Sequence, residues 1–530
     1  MANTITGAYE TDGYIKITDS LNIGNGSTPT SFVVTGKDGG EAFVIAGDNA
    51  VVTVNQATIT LPNDGQLGIG DGGNGTMIIT NNSTVDLTHA GTIYMGYKSH
   101  GVLTVEDNST LLGAFNNFWL YGDSTVNVQG NSKLVACTSD NNLYNYRVLL
   151  GIKSANTTNT TTINVGAGSQ FISNATQFVT NYSSDTTINI NVEGAGAKLI
   201  QTAETANTGY YPMGYTGEWV WKEEGVDIPY GTGDGQNGKD WQTDGKRDSG
   251  WYDMESTAGT WVSTGHGPTV TYLCDSGTDK NGYKYAARNN CTTNISSTLG
   301  GEVLFDSVIT YVGSFLDKQA GYTDKRANLT IGEGSSISFN RMEIYADTNI
   351  KGEGTFKATS ITLHDGATLT SSLKGAGKFI ADTLTVKNGA ELKITFDTES
   401  TPATTFSLSE AAQASTAVAI LDTDLILESG AVLTLEGSNI DLNGHVLTIL
   451  DGAIINTDDL TAIDENGELT VFSNFSSYSQ TDVVTVTING QRTELTYDGT
   501  SIKTTIVPEP TTATLSLLAL AALAARRRRR

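Results

Sequence analysis

Apolar and polar positions alternate in short bursts along most of this chain, and many bursts end at a glycine or asparagine. The recurring unit reads apolar, any, apolar, any, any, Gly or Asn, Ser or Ala, any, apolar. It occurs as MIITNNSTV from Met77, LTVEDNSTL from Leu103, VNVQGNSKL from Val126 and INVGAGSQF from Ile163. It returns as LTIGEGSSI from Leu329, ITLHDGATL from Ile361, LTVKNGAEL from Leu384 and LILESGAVL from Leu425. INVEGAGAKL from Ile190 fits with one extra residue. The first two apolar residues alternate as on a strand with one buried face. Gly or Asn at the sixth place suits a left-handed backbone. The small residue after it lets the chain turn closely, and the last apolar residue points back inward. The unit is a strand, a corner and a second strand.

Neighbouring copies start 26 and 23 residues apart after Met77, and 23 apart between Ile361 and Leu384, which suits one coil per copy. Units this short cannot close a core alone and must stack. The pattern predicts an all-β fold, a parallel β-solenoid and most simply a right-handed β-helix, with coils ~4.8 Å apart. An irregular array of β-sandwiches is the second choice. The expected layout is solenoid over 1–204, an insertion over 205–295, solenoid again over 296–472, a hairpin cap over 473–506 and a tail over 507–530. The cap rests on the clean alternation of VVTVTINGQRTELTYDGTSIKTTIV, with hairpin signals at Asn489-Gly490 and Asp498-Gly499. An antiparallel cap there would cover the open edge of the last coil. The repeat resembles the passenger regions of autotransporters and their β-strand repeats, over roughly Gln66–Leu199 and Gly301–Leu450.

In the insertion the unit disappears and five of the six tryptophans gather: Trp219, Trp221, Trp241, Trp251 and Trp261. Tyr210, Tyr211, Tyr215, Tyr230 and Tyr252 accompany them. Two readings compete. Exposed rings can stack on sugar faces, with nearby polar side chains bonding the hydroxyls; or the aromatics build the core of a small lateral subdomain. Asp234, Asp240 and Asp244 lie among glycines, but their spacing matches no EF-hand or nonapeptide calcium repeat, so calcium is a weak candidate and solvated turns the simpler one. Cys274 and Cys291 flank a polar loop and are either a local disulfide or two thiols; Cys137, after the apolar Lys-Leu-Val-Ala, is a buried small residue.

Catalytic signals are thin. Glu218, Glu223, Glu224 and Asp227, beside Trp219 and Trp221, are the best carboxylates for glycoside hydrolysis, which needs two of them ~5–9 Å apart. Nothing in their spacing enforces that. His89, His100, His266, His364 and His445 are scattered with no metal spacing, and the last two sit in turn-like contexts expected at the surface. Lys plus Arg total 31 against 57 Asp plus Glu, a net charge of −26. Five of those cations are the terminal arginines, so the body carries −31. Such a body repels phosphate backbones and anionic lipid, which argues against nucleic-acid partners. Only 17% of residues are charged, so most of the polar surface is neutral Thr, Ser, Asn and Gly.

The chain closes with VPEPTTATLSLLALAALAARRRRR. Thr511 to Ala525 is uncharged and rich in helix-forming Ala and Leu. As a helix it reaches ~22 Å at ~1.5 Å per residue, short of the ~30 Å hydrocarbon core, with Arg526, Arg527, Arg528, Arg529 and Arg530 placed to hold the cytoplasmic side. A buried core helix and a plain membrane anchor are the bland readings. Pro508-Glu509-Pro510, a short apolar segment and terminal arginines in that order closely resemble the PEP-CTERM sorting signal. The resemblance implies export by the Sec machinery, transient inner-membrane retention, and cleavage by an exosortase-type membrane protease that recognises Pro508, Glu509 and Pro510. Delivery to the envelope or extracellular matrix of a Gram-negative bacterium would follow. It also implies a secretory signal peptide, whereas MANTITGAYETDGYIKITD has no basic start and no apolar core. The expectation is an exported structural or adhesin-like surface protein that touches glycans or partner proteins through its insertion. The alternative is a β-helix polysaccharide lyase or glycoside hydrolase.

Overall fold

The computed structural model describes residues 3–202, 219–223, 226–229, 260–263, 269–274, 290–313, 324–395, 419–457 and 468–505, less short gaps at 36–39, 48–49, 63–64, 115–116, 138–146, 156, 176, 437–439, 480–484, 489–490, 498 and 500. Every regular element among them is a strand. The strands wind into a parallel β-solenoid whose full coil has three faces. One coil, for example, runs through His100–Val105 on the first face, Thr110–Ala114 on the second and Asn117–Tyr121 on the third. Each strand pairs in parallel with its counterparts one coil before and after.

Equivalent residues stack on equivalent residues. Met77, Leu103, Val126, Ile163, Ile190, Ile295, Leu329 and Ile350 follow one another in register on the first face. All eight are buried, and they belong to one continuous apolar interior that runs from Leu21 to Ile502. Strand alternation explains it: one side of every strand is apolar and no coil can bury that side without its neighbours. Inside, phenylalanines form a column, with Phe305 stacked on Phe339 (ring centroids 5.2 Å, planes 11° apart) and Phe356 next to Phe379 at 5.0 Å.

The nine-residue units are strand–corner–strand. The sixth residue of all eight ungapped copies (Asn82, Asn108, Asn131, Gly168, Gly334, Gly366, Gly389 and Gly430) has a positive φ between 56° and 83° or close to it, at 57–83° for Asn108 through Gly366. The structure adds what the pattern alone did not separate: the copies occupy two different corners. Those from Met77, Leu103, Val126, Ile163 and Leu329 turn from the first face to the second; those from Ile361, Leu384 and Leu425 turn from the third face back to the first. Each corner has its own small residue. At the first, buried serines stack: the Ser83 amide donates to Ser109 Oγ (3.1 Å), Ser109 to Ser132 Oγ (3.0 Å) and Ser132 to Ser169 Oγ (3.1 Å). At the other, buried Ala367, Ala390 and Ala431 close tight turns by donating to the carbonyls three residues back.

The insertion interrupts one coil between its second and third faces. Lys198–Gln201 leaves the second face and Val270–Leu273 re-enters on the third, pairing with Gln177–Val179 and Glu302–Val312. Val270–Leu273 and Cys291–Thr298 are coil strands, so the extent of 205–295 expected for the insertion takes in parts of the solenoid. Within the insertion Trp219–Glu223 pairs antiparallel with Val226–Pro229 and with Thr260–Ser263. At the far end Thr485–Ile488 pairs antiparallel with Gln491–Glu494, and Glu468–Ser473 with Ser501–Thr505, giving the antiparallel cap. The hydrophobic helix expected over 511–525 and the sorting tail lie outside the described residues.

Candidate functional site

On the third face every second side chain points away from the core, and one outward column is rich in rings. In register it runs Tyr94, Trp119, Leu149, Val179, Tyr272, Tyr311, Glu343. The next outward positions add Tyr97 and Tyr121, whose rings meet edge-on at 5.3 Å, and Trp119 meets Tyr121 at 6.5 Å. Tyr97 is 38% exposed and carries the Lys98 ammonium 4.7 Å above its ring. Farther along, Tyr272 stacks on Tyr311 at 5.6 Å, and Leu149, Val179, Val270, Tyr272 and Ile309 form a second buried apolar cluster separate from the core.

Acidic groups close both ends of this track. At the near end Tyr94 lies flat across the neighbouring strand because residue 68 is glycine; a Cβ there would meet the ring at 2.5 Å. The ring can then reach two coils away, and its hydroxyl sits 3.0 Å from Glu41 Oε1 and 3.1 Å from Asp71 Oδ2. Burial and a hydrogen bond shared with Glu41 push the Asp71 carboxyl above the usual carboxylate range, against the opposing pull of Tyr94. Two carboxyls this close hold a proton between them. Burial, then the Asp71 charge, likewise raise the Tyr94 phenol. At the far end Glu343 is buried and takes Arg341 (Nη2 to Oε1, 2.6 Å) on one oxygen and His364 Nε2 on the other. Burial pushes its carboxyl up, but the bonds from His364 and Arg341 outweigh that and hold it low. Tyr345 stacks on the His364 ring at 4.0 Å, and burial with the Glu343 charge pushes the Tyr311 phenol up to about 12.

The structure disperses the residues singled out from sequence. Trp219, Trp221 and Trp261 lie on the antiparallel sheet of the insertion, with Trp221 directly opposite Trp261 in the backbone register. Trp241 and Trp251 lie outside the described residues, as do Glu218, Glu224, Asp234, Asp240 and Asp244. Glu223 and Asp227 sit on adjacent strands of the same sheet. Cys274 and Cys291 are buried thiols rather than a bridge: Cys274 donates to the Arg326 carbonyl (3.1 Å) and Cys291 to that of Ser183 (3.7 Å). Cys137 is buried, as its apolar context implied. His364 and His445 are not idle surface groups. His364 holds Glu343, and His445 is gripped by Asp422 (Nε2, 2.8 Å) and Asp424 (Nδ1, 3.1 Å). Among the described residues no three His, Cys, Asp or Glu side chains converge as metal ligands.

Sequence reading followed the dense tryptophans and missed the sixth, Trp119. The signal was periodic rather than local. Consecutive third-face strands read Thr-Ile-Tyr-Met from Thr92, Asn-Phe-Trp-Leu-Tyr from Asn117, Val-Thr-Tyr-Leu from Val270, Ile-Thr-Tyr-Val from Ile309 and Met-Glu-Ile-Tyr from Met342. Comparisons with protein-family models, with curated proteins and with solved structures return no match to this chain.

Proposed function

We propose that this chain is a rigid exported spacer of the cell surface or extracellular matrix, adhesive through the aromatic track on its third face. The observation that carries the reading is the single interior shared from coil to coil: a rod stiffened by packing alone presents its outer faces at a fixed spacing. The rings of Tyr97, Trp119 and Tyr121 supply flat apolar contact, and the acids at either end supply hydrogen-bonding partners for hydroxyls. Glycans, or a partner protein with an exposed aromatic patch, fit that combination. The tail supports export: Pro508, Glu509 and Pro510 would mark the exosortase site and Arg526–Arg530 the membrane-retained end.

Two measurements test the reading separately. Mass spectrometry of the native protein's C-terminus should find it ending near Pro508, and an intact arginine tail would refute sorting. A glycan array should lose its signal in Tyr97→Ala/Trp119→Ala, and unchanged binding would remove the third face from the account. The second reading is a β-helix carbohydrate-active enzyme, favoured by the proton-sharing Glu41 and Asp71 beside Tyr94. Polysaccharide cleavage abolished by Asp71→Asn would establish it in place of the spacer.

A further inference from the structure

A second surface, on the first face, has a different chemistry. There the outward positions of consecutive coils are asparagines that bond to one another along the rod. Asn127 Nδ2 donates to Thr104 Oγ1 (3.3 Å), Asn164 Nδ2 to Asn127 Oδ1 (2.9 Å) and Asn191 Nδ2 to Asn164 Oδ1 (2.9 Å). A parallel ladder two residues away continues through Asn189, Asn294, Asn328 and Asn349 at 2.8–2.9 Å. Asn127, Asn164 and Asn191 line a groove of about 560 Å³, bordered along the corner by Gln129, Glu193 and Leu299. Each ladder bond uses one N–H and one lone pair of an amide that has two of each. A donor and an acceptor per asparagine therefore remain for a ligand, repeated coil after coil at ~4.8 Å.

Leu299 marks this groove as more than a by-product of stacking. It is 68% exposed and has a φ of 53°, a left-handed conformation that is an outlier for a bulky side chain. At the same corner earlier coils place Asn81, Asp107 and Gly130, residues that tolerate such a backbone. A strained, solvent-facing leucine at the rim of an amide-lined groove is a contact held out for something outside the chain.

We propose that this groove binds an extended neutral β-linked polysaccharide lying along the rod axis, independently of the aromatic track. Sugar hydroxyls both donate and accept, as the free half of each amide does. One pyranose residue of an extended chain is close in length to one coil, so successive sugars meet successive asparagines. Leu299 packs on the apolar sugar face. Glu193 in the groove and the acidic body repel polyanions, which selects neutral chains.

The test is co-sedimentation of the full chain with insoluble cellulose and with insoluble chitin, against soluble polygalacturonate as an anionic control. The wild-type chain should pellet with cellulose or chitin and ignore the polyanion. Leu299→Asn should raise the unfolding midpoint, because strain is relieved, yet lower the bound fraction at least fivefold; a purely structural leucine would not separate the two. Asn164→Asp, nearly isosteric, should lose binding as well, whereas Tyr97→Ala on the third face should keep it. No pelleting of the wild type, unchanged binding in Leu299→Asn and Asn164→Asp, or loss in Tyr97→Ala would each overturn the proposal.

Discussion

Replacing Phe305 by alanine tests whether the rod is held by contacts between adjacent coils. The ring is fully buried on Glu302–Val312, stacked on Phe339 at 5.2 Å and edge-on to Phe178 at 5.6 Å. Burying and then removing such a ring costs ~3–5 kcal/mol, of which each aromatic contact accounts for ~0.5–1.5 kcal/mol. In a stacked-repeat architecture that loss is confined to the neighbouring coils, because each coil touches only its neighbours. Hydrogen exchange read by mass spectrometry resolves the location. At ~1.4 kcal/mol per tenfold, protection in peptides covering Cys291–Thr298 and Ser336–Ile344 should fall roughly a hundredfold or more. Peptides covering Gly75–Thr80 and His100–Val105 should be unchanged. An equal loss along the whole chain would refute the coil-by-coil reasoning and make the rod one cooperative body. No loss anywhere would refute the placement of Phe305 in the core.

Three further outcomes are expected. Ser109→Ala removes the acceptor of the buried Ser83 amide and should cost ~1–3 kcal/mol in denaturant unfolding; a neutral result would mean that the serine ladder carries no weight. Gly68→Ala drives a methyl into the Tyr94 ring at 2.5 Å, so it should cost ~1–3 kcal/mol and free Tyr94 from Glu41 and Asp71; Gly68→Ala combined with Tyr94→Ala should recover most of the loss. Burial lowers the affinity of His445 for its proton, but the bonds and charges of Asp422 and Asp424 outweigh it and raise its pKa in the folded chain. Its contribution is therefore full below the unfolded value of ~6.5 and lost as pH rises through the folded one. His445→Gln should lower the unfolding midpoint at about pH 5.5 and leave it close to wild type at about pH 8.5; the opposite order would refute the pairing.

The solenoid was legible because its signal is local and repeated. Alternation at Leu103 and Val105, a left-handed residue at Asn108 and a small buried one at Ser109 state a strand and a corner within nine letters, and stacking is the way such units bury their apolar side. One further copy, LTILDGAII from Leu447, has the same form and makes the same third-to-first corner, with Ala453 buried. What the letters did not reveal is which corner each copy turns, since both corners need the same left-handed residue and differ only in whether a serine or an alanine follows.

The candidate sites lie across the coils, and that is where sequence alone stops. The amino-acid order determines every strand and corner, because those depend on residues within a few positions of one another. Only the tertiary structure decides that Tyr94 meets Glu41, that Trp119 lines up with Tyr272 and Tyr311, and that Asn127, Asn164 and Asn191 bond in a row. Loops of unequal length separate these residues along the chain. Their alignment comes from the register in which each coil settles on the last, fixed by burial of apolar side chains on the opposite side of the same strands.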